Sequence, residues 1–308
     1  MIKRTQNRIA QSRWALPTTL IYGIALFLAS GMAMQGLWLQ LCILCASTLL
    51  MVVLNNTHSL IRIYSRMVSC TFFVVAIMSP YLFSSVKTEL VQLCYIIFLN
   101  FFLRSFQDKQ AVGNVFYGFV AIGMASVVYV DMLWLVPVLW ILLGTNVLAL
   151  SMRTFFASLL GLMLPYWFLG AYSLYTGNSQ EFVAHFTALA TWQMPFDFAS
   201  LDLHHLVTLA FIILIGMVGS IHFLIYSYQD KIRIRMIYEM FIALEVILLL
   251  LLVLQPQHSD VLLSLLTVTV APPVGHFLTL THSRLSNITF FCLITTALAL
   301  TVFNVWFA

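Results

Sequence analysis

Residues 231–255 read KIRIRMIYEMFIALEVILLLLLVLQ. A short basic run gives way to a long apolar one, in which Glu245 is the lone charge after Met240. A helix rises about 1.5 Å per residue, so some 20 apolar residues cross the ~30 Å hydrocarbon layer of a bilayer. Working outward, apolar stretches of comparable length recur near 16–34, 37–54, 68–85, 90–105, 114–130, 133–150, 155–176, 206–228, 240–255, 261–280 and 288–307. The whole chain of 308 residues is 62% hydrophobic and 8% charged. A soluble domain carries about 25% charged residues, and no soluble fold of this size hides so much apolar surface. The runs are continuous and lack the period-2 alternation of an outer-membrane barrel, and lipid cannot satisfy exposed backbone groups. The expected fold is therefore all-α: one transmembrane bundle over 1–308 with about eleven spans. The first apolar stretch reads as a retained helix, with no cleavage pattern after it.

The basic residues set an orientation. With the N-terminus in the cytoplasm and the spans alternating, thirteen of the 14 Lys and Arg residues fall on the cytoplasmic side, and only Lys87 falls outside. This is the bias of bacterial inner-membrane proteins, and an odd span count puts the C-terminus outside. The net charge of +4 follows from this topology and calls for no nucleic-acid partner. Two connections read as more than turns. Around 57–67, Leu60, Tyr64 and Met67 oppose Arg62 and Arg66, which predicts a short helix in the cytoplasmic interface. Residues 177–205 form the one long external loop. In it Asn178 and Glu181 are placed as a cap, and Phe182, Phe186, Leu189 and Trp192 share one amphipathic face. An internal parallel duplication would relate Ile61-Arg62-Ile63 to Ile232-Arg233-Ile234.

Glu245 is the most informative residue, because a carboxylate inside a span is costly and marks function by default. His222 and His276 are expected at a similar depth in the neighbouring spans, with Pro272-Pro273 breaking the helix just before His276. A Glu245–His222–His276 cluster would relay protons or meet a polar substrate; the structural alternative is a hydrogen-bonded pair holding helices together. The external side carries Glu89, Asp131, Asp197, Asp202 and Asp260, together with the polar cluster of His204 and His205 beside Asp202. No spacing there is diagnostic of a metal, and no cofactor is implied. Walker A, G-x-G-x-x-G, H-E-x-x-H and G-x-S-x-G motifs are all missing, so ATP-driven transport by this chain alone is not expected. Cys42, Cys45, Cys70, Cys94 and Cys292 lie in apolar stretches and read as buried small hydrophobes.

The run from Arg104-Ser105-Phe106 through Gly113-Asn114-Val115-Phe116, Gly118, Gly123-Met124-Ala125, Trp140 and Arg153 to Leu164-Pro165-Tyr166 resembles an uncharacterised polytopic inner-membrane family of Bacteroidetes. The basic run Lys231–Arg235 fits that family as well. The same region is more distantly similar to the C-type glycosyltransferase superfamily. The shared rhythm is a basic turn, a small-residue helix, external Asp131, Pro137 in the next helix and basic Arg153. The resemblance implies a membrane bundle that handles polyprenyl-phosphate sugars. Those enzymes hold a catalytic carboxylate in a long first external loop, where this chain has little more than Gln35-Gly36. The resemblance thus leaves Asp131, Asp197 and Asp202 as catalytic candidates, or no catalysis at all.

Three functions fit these expectations. The first is an envelope-biogenesis protein that handles a lipid-linked or membrane-dissolved substrate as a glycosyltransferase-like bundle. The second is a proton-coupled secondary transporter, and the third is a membrane scaffold subunit. Beyond membrane lipid, and a polyprenyl-linked substrate under the first reading, the sequence names no partner.

Overall fold

The computed structural model describes residues 4–83, 85–177, 179–189 and 202–306. Among these residues no strand occurs. The helices are α1 (Thr5–Ala10), α2 (Ala15–Ala29), α3 (Trp38–His58), α4 (Met67–Ile77), α5 (Pro80–Phe83), α6 (Val86–Arg104) and α7 (Val112–Val128). After them come α8 (Val136–Thr145), α9 (Met152–Thr176), α10 (Ser179–Ala188), α11 (Leu203–Tyr226), α12 (Ile232–Leu254), α13 (Ser259–Leu280) and α14 (Arg284–Trp306).

Seven helices are long and apolar enough to cross a membrane: α3, α6, α9, α11, α12, α13 and α14, with 3-10 turns extending α11 and α13. Four shorter apolar segments accompany them: α2, α4, α7 and the 3-10 turn Val130–Leu135 running into α8. Each of the eleven apolar stretches read from the sequence falls on one of these. The short ones have local causes. Residue Ser79 precedes Pro80, which disfavours helical backbone, and α4 stops two residues earlier. Gly31 takes a left-handed φ of 75° just after α2.

The long helices expose apolar stripes. On α9 these are Phe156, Leu160, Met163 and Trp167; on α11 they are Leu214, Met217, Ile221 and Leu224. Residues three and four apart share a helix face, so each set is one continuous apolar surface. Acyl chains match such surfaces and water does not. The protein is a membrane protein.

The chain divides into two compact units, where the sequence reading expects one bundle. Unit 1 holds Met1–Glu89 and Phe196–Ala308, and unit 2 holds Leu90–Pro195. This division does not follow the halves that a duplication would give.

In unit 1, α13 is the axis. It packs on α4, α11 and α12, and nearly all of its residues are buried. Two glycines permit the close approach. A Cβ at Gly219 of α11 would sit 2.7 Å from the Val274 backbone nitrogen, and one at Gly275 would sit 2.9 Å from the Val68 backbone. Pro272 and Pro273 lie inside α13 without ending it, contrary to the expected break. Neighbours on every side hold a buried helix through a proline that would break it in isolation.

Contacts also order the two ends of unit 1. Gln6 and Asn7 of α1 bond Leu278 and Thr281 at the end of α13, and Ser65 bonds the Ala10 carbonyl. Asn304, near the end of α14, bonds Met78 and Thr208, while His205 meets Asp260 at the start of α13. So α1 and the end of α14 lie at opposite ends of the unit.

The interfacial helix expected near 57–67 does not form. Ser59 takes a left-handed φ of 50° and caps α3, and residues 59–66 carry no helix. Leu60 and Ile61 turn inward instead, and Tyr64 is left 53% exposed. The segment's backbone carbonyls find tertiary partners: Tyr238 donates to Leu60 and Asn55 donates to Ser65. Those bonds replace the intrahelical ones that amphipathic spacing alone would favour.

In unit 2, α7 packs along α9 with Gly161 directly against the Phe116 carbonyl. Trp140 donates to Ser158 at 2.9 Å and Tyr166 to Ser126 at 2.9 Å. A capping box of Ser151 and Thr154 starts α9. The segment near 177–205, read from the sequence as an external amphipathic loop, is helical over Ser179–Ala188, where Phe182 and Phe186 meet edge to face and Phe186 meets Tyr166. Its proposed cap residue Asn178, and Trp192, lie outside the described residues. The five cysteines carry no disulfide, and Cys42 and Cys292 are exposed, not buried.

Candidate functional site

Three segments of unit 1 meet where α11 ends and α12 begins. The last turns of α11 carry His222, the turn after it carries Asp230, and the second half of α13 carries His276. His276 donates from Nε2 to the Asp230 carboxylate at 3.0 Å. The two side chains are 3% and 7% exposed, so this is a buried pair. The rings of Phe223 and Tyr238 pack on the imidazole at 5.2 and 5.1 Å.

With Nε2 committed to the carboxylate, the neutral ring has its lone pair on Nδ1. That atom is buried and has no hydrogen-bond partner, and the same holds for Nδ1 of His222. The two rings stand 6.1 Å apart. Both line a cavity of about 560 Å³ with Arg62, Gln229, Asp230 and His282. At its rim Arg62 donates to the Gln229 side chain at 3.3 Å. Buried imidazole nitrogens are normally satisfied, so two orphaned ones around one cavity mark a place for a polar ligand or water.

Glu245 stands apart from this cavity. It is 4% exposed, accepts a hydrogen bond from Ser220 at 2.8 Å and rests against Gly216, where a Cβ would collide with its carboxylate. No hydrogen bond among the described residues joins it to His222 or His276. The sequence reading placed it at their depth by starting the ninth span at Met240; α12 in fact begins at Ile232, eight residues earlier. Tyr238 takes the place beside His276, and Glu245 lies a further seven residues along, about 10 Å up the helix axis. In place of the predicted triad stand two neighbouring histidines, His276 bonded to Asp230 and His222 beside it, with Glu245 elsewhere.

Asp230 was missed because it sits in a turn and gains its meaning from α13. One signal was available: it is an acid beside the basic run Lys231–Arg235.

At the other end of unit 1 the polar cluster disperses. His205 pairs with Asp260 at 2.9 Å under the Tyr81 ring. His204 turns to Asn304 and the Phe303 ring. Asp202 is exposed and makes no side-chain cap on α11. Asp131 belongs to unit 2, where the Tyr129 hydroxyl donates to it. Asp197 lies outside the described residues. Glu89, read as an external carboxylate, is 5% exposed in the first turn of α6. Among the described residues no group of three or more His, Cys, Asp or Glu side chains is placed to hold a metal ion.

No protein-family model, curated protein or solved structure matches the chain. Function must therefore be argued from the site. An Asp–His pair with a free second nitrogen can take a proton from a ligand and return it, while the carboxylate stabilises the imidazolium.

Beside this polar cavity, unit 1 holds an apolar crevice of about 300 Å³, lined by Thr19, Tyr22, Cys70, Phe211, Leu278 and Phe290 among others. Phe277 and Thr289 line the first cavity, and their chain neighbours Leu278 and Phe290 line the second.

Proposed function

We propose that this is a multi-pass protein of the bacterial inner membrane that handles a lipid-linked or membrane-dissolved substrate in envelope biogenesis, with the polar head at the His222–His276–Asp230 cavity. Eleven spans with the N-terminus in the cytoplasm fit the basic residues. Arg62, Arg66, Lys231, Arg233, Arg235 and Arg284 all lie in or beside the turns at the α1 end of unit 1. The observation that carries the reading is the buried, unpartnered Nδ1 of His276 at a cavity whose other polar groups include Arg62 and His282. The apolar crevice gives a tail a place beside the head. As in a non-catalytic glycosyltransferase-like bundle, the substrate would be held at this cavity and not converted there; Asp202 stands exposed at the opposite end of unit 1.

The test is mass spectrometry of lipids that stay with the protein purified in mild detergent. Wild-type protein is expected to retain one class of lipid with an ionisable head well above its share of the membrane. His222→Ala should retain about tenfold less, the loss of one hydrogen bond to a charged group worth ~1.5 kcal/mol. Lipids recovered only in bulk membrane proportions would sink the reading.

Glu245 favours a second reading, a proton-coupled secondary transporter. It is a buried carboxylate midway along α12 whose hydrogen-bond partner is Ser220. Under that reading Glu245→Gln abolishes substrate-driven proton uptake in proteoliposomes and leaves lipid retention unchanged. Unaltered proton movement in Glu245→Gln would leave the carboxylate a structural bond between α11 and α12.

A further inference from the structure

The turn that replaces the expected interfacial helix roofs a third cavity, of about 740 Å³. Its lining carries Arg62, Lys231 and Arg233, with His58 and Asn55. Among the described residues the only carboxylate in that lining is Asp230, which is 7% exposed and already bonded to His276. Among the described residues neither Arg62 nor Lys231 forms an ion pair with a carboxylate. Arg233 donates to Nδ1 of His58 at 3.3 Å. Asn55 is 7% exposed; its amide nitrogen donates to the Ser65 carbonyl, while its Oδ1 is buried with no partner.

Arg62, Lys231 and Arg233, all on exposed side chains, surround one space with positive charge, which favours an anion there. Guanidinium groups match phosphate oxygens in pairs, and an ammonium adds a point charge. The unpartnered Asn55 oxygen supplies an acceptor for a P–OH group or for a water on the ligand. We propose that this cavity binds a phosphoryl anion, either free phosphate or the headgroup of an anionic lipid. Arg62 lines both this cavity and the histidine cavity, so it couples the two. The site shares Arg62 and Asp230 with the histidine cavity and has Lys231 and Arg233 as its own cations, and it stands without the lipid-handling reading.

The experiment uses the full chain in nanodiscs of phosphatidylcholine alone. Inorganic phosphate is titrated by calorimetry against wild type, Arg62→Gln and Arg8→Gln, the last removing an equal charge from an exposed position on α1. Saturable binding is expected in wild type and Arg8→Gln, weakened about tenfold in Arg62→Gln. A parallel arm replaces part of the lipid with phosphatidate and follows its 31P line broadening. Broadening that is lost in Arg62→Gln, with no response to inorganic phosphate, assigns the site to a headgroup. The inference is overturned if neither probe gives a saturable response. It is equally overturned if Arg62→Gln and Arg8→Gln weaken the response alike, which would reduce the cations to surface charge.

Discussion

A His276→Ala protein is expected to lose about 3–5 kcal/mol of folding stability, the cost of leaving one member of a buried pair without the other. Asp230 would stay in place at 7% exposure with its hydrogen bond gone. The contacts of Phe223 and Tyr238 with the imidazole would go too, leaving a void between α11, α12 and α13. Reversible unfolding in mixed micelles measures the loss. A second variant separates charge from packing. Replacing both partners, as Asp230→Leu with His276→Leu, removes the stranded carboxylate and should recover most of the stability while abolishing ligand binding at the cavity. A single variant within about 0.5 kcal/mol of wild type, the range of an ordinary surface change, would show that the pair is not buried.

Gly275→Leu should be as damaging for a different reason. The added side chain begins 2.9 Å from both the Cα and the nitrogen of Val68, and backbone cannot rotate out of the way. α13 and α4 would have to separate, and α13 is the helix on which α11 and α12 also pack. A loss of about 3 kcal/mol or more is expected, at the upper end for overpacking, with most of the protein recovered as aggregate. Gly113→Ala is the matched control. Nothing lies within 4 Å of its added Cβ, and helix propensity favours alanine by up to about 1 kcal/mol. Equal behaviour of the two variants in size-exclusion profile and unfolding midpoint would refute the close α13–α4 packing.

The sequence placed His222 near His276 correctly, yet its route to that pair was indirect. It assumed that consecutive spans are neighbours, whereas α11 packs chiefly on α13, two helices further on, and little on α12. It also fixed depth by counting from the first uninterrupted apolar residue. That count fails on α12, because the stretch from Ile232 to Glu239, basic run included, is itself helical and lengthens the helix by about two turns. Glu245 therefore sits deeper than expected, and its partner is Ser220, a residue with no signal in a one-dimensional pattern.

Likewise, Leu60, Tyr64 and Met67 have the spacing of an amphipathic helix, and Arg62 and Arg66 strengthen the pattern. The structure buries Leu60 and Met67 and exposes Tyr64, because Tyr238 and Asn55 offer hydrogen bonds that a helix over those residues would forgo. At the other end of unit 1, His204 and His205 are adjacent in sequence and point to different partners, while Asp202 stands exposed.

By itself the sequence determined that the chain is helical and built for a membrane, and where each apolar helix lies. Hydrocarbon thickness and the need to satisfy the backbone are local demands, met within each stretch of about 20 residues. Only the tertiary structure decided that Asp230 completes the histidine pair, that Glu245 is excluded from it and that Arg62, Lys231 and Arg233 enclose one cavity. Those relations depend on which helices touch and at what height, and the register of packed helices is set by side-chain fit between segments far apart in the chain.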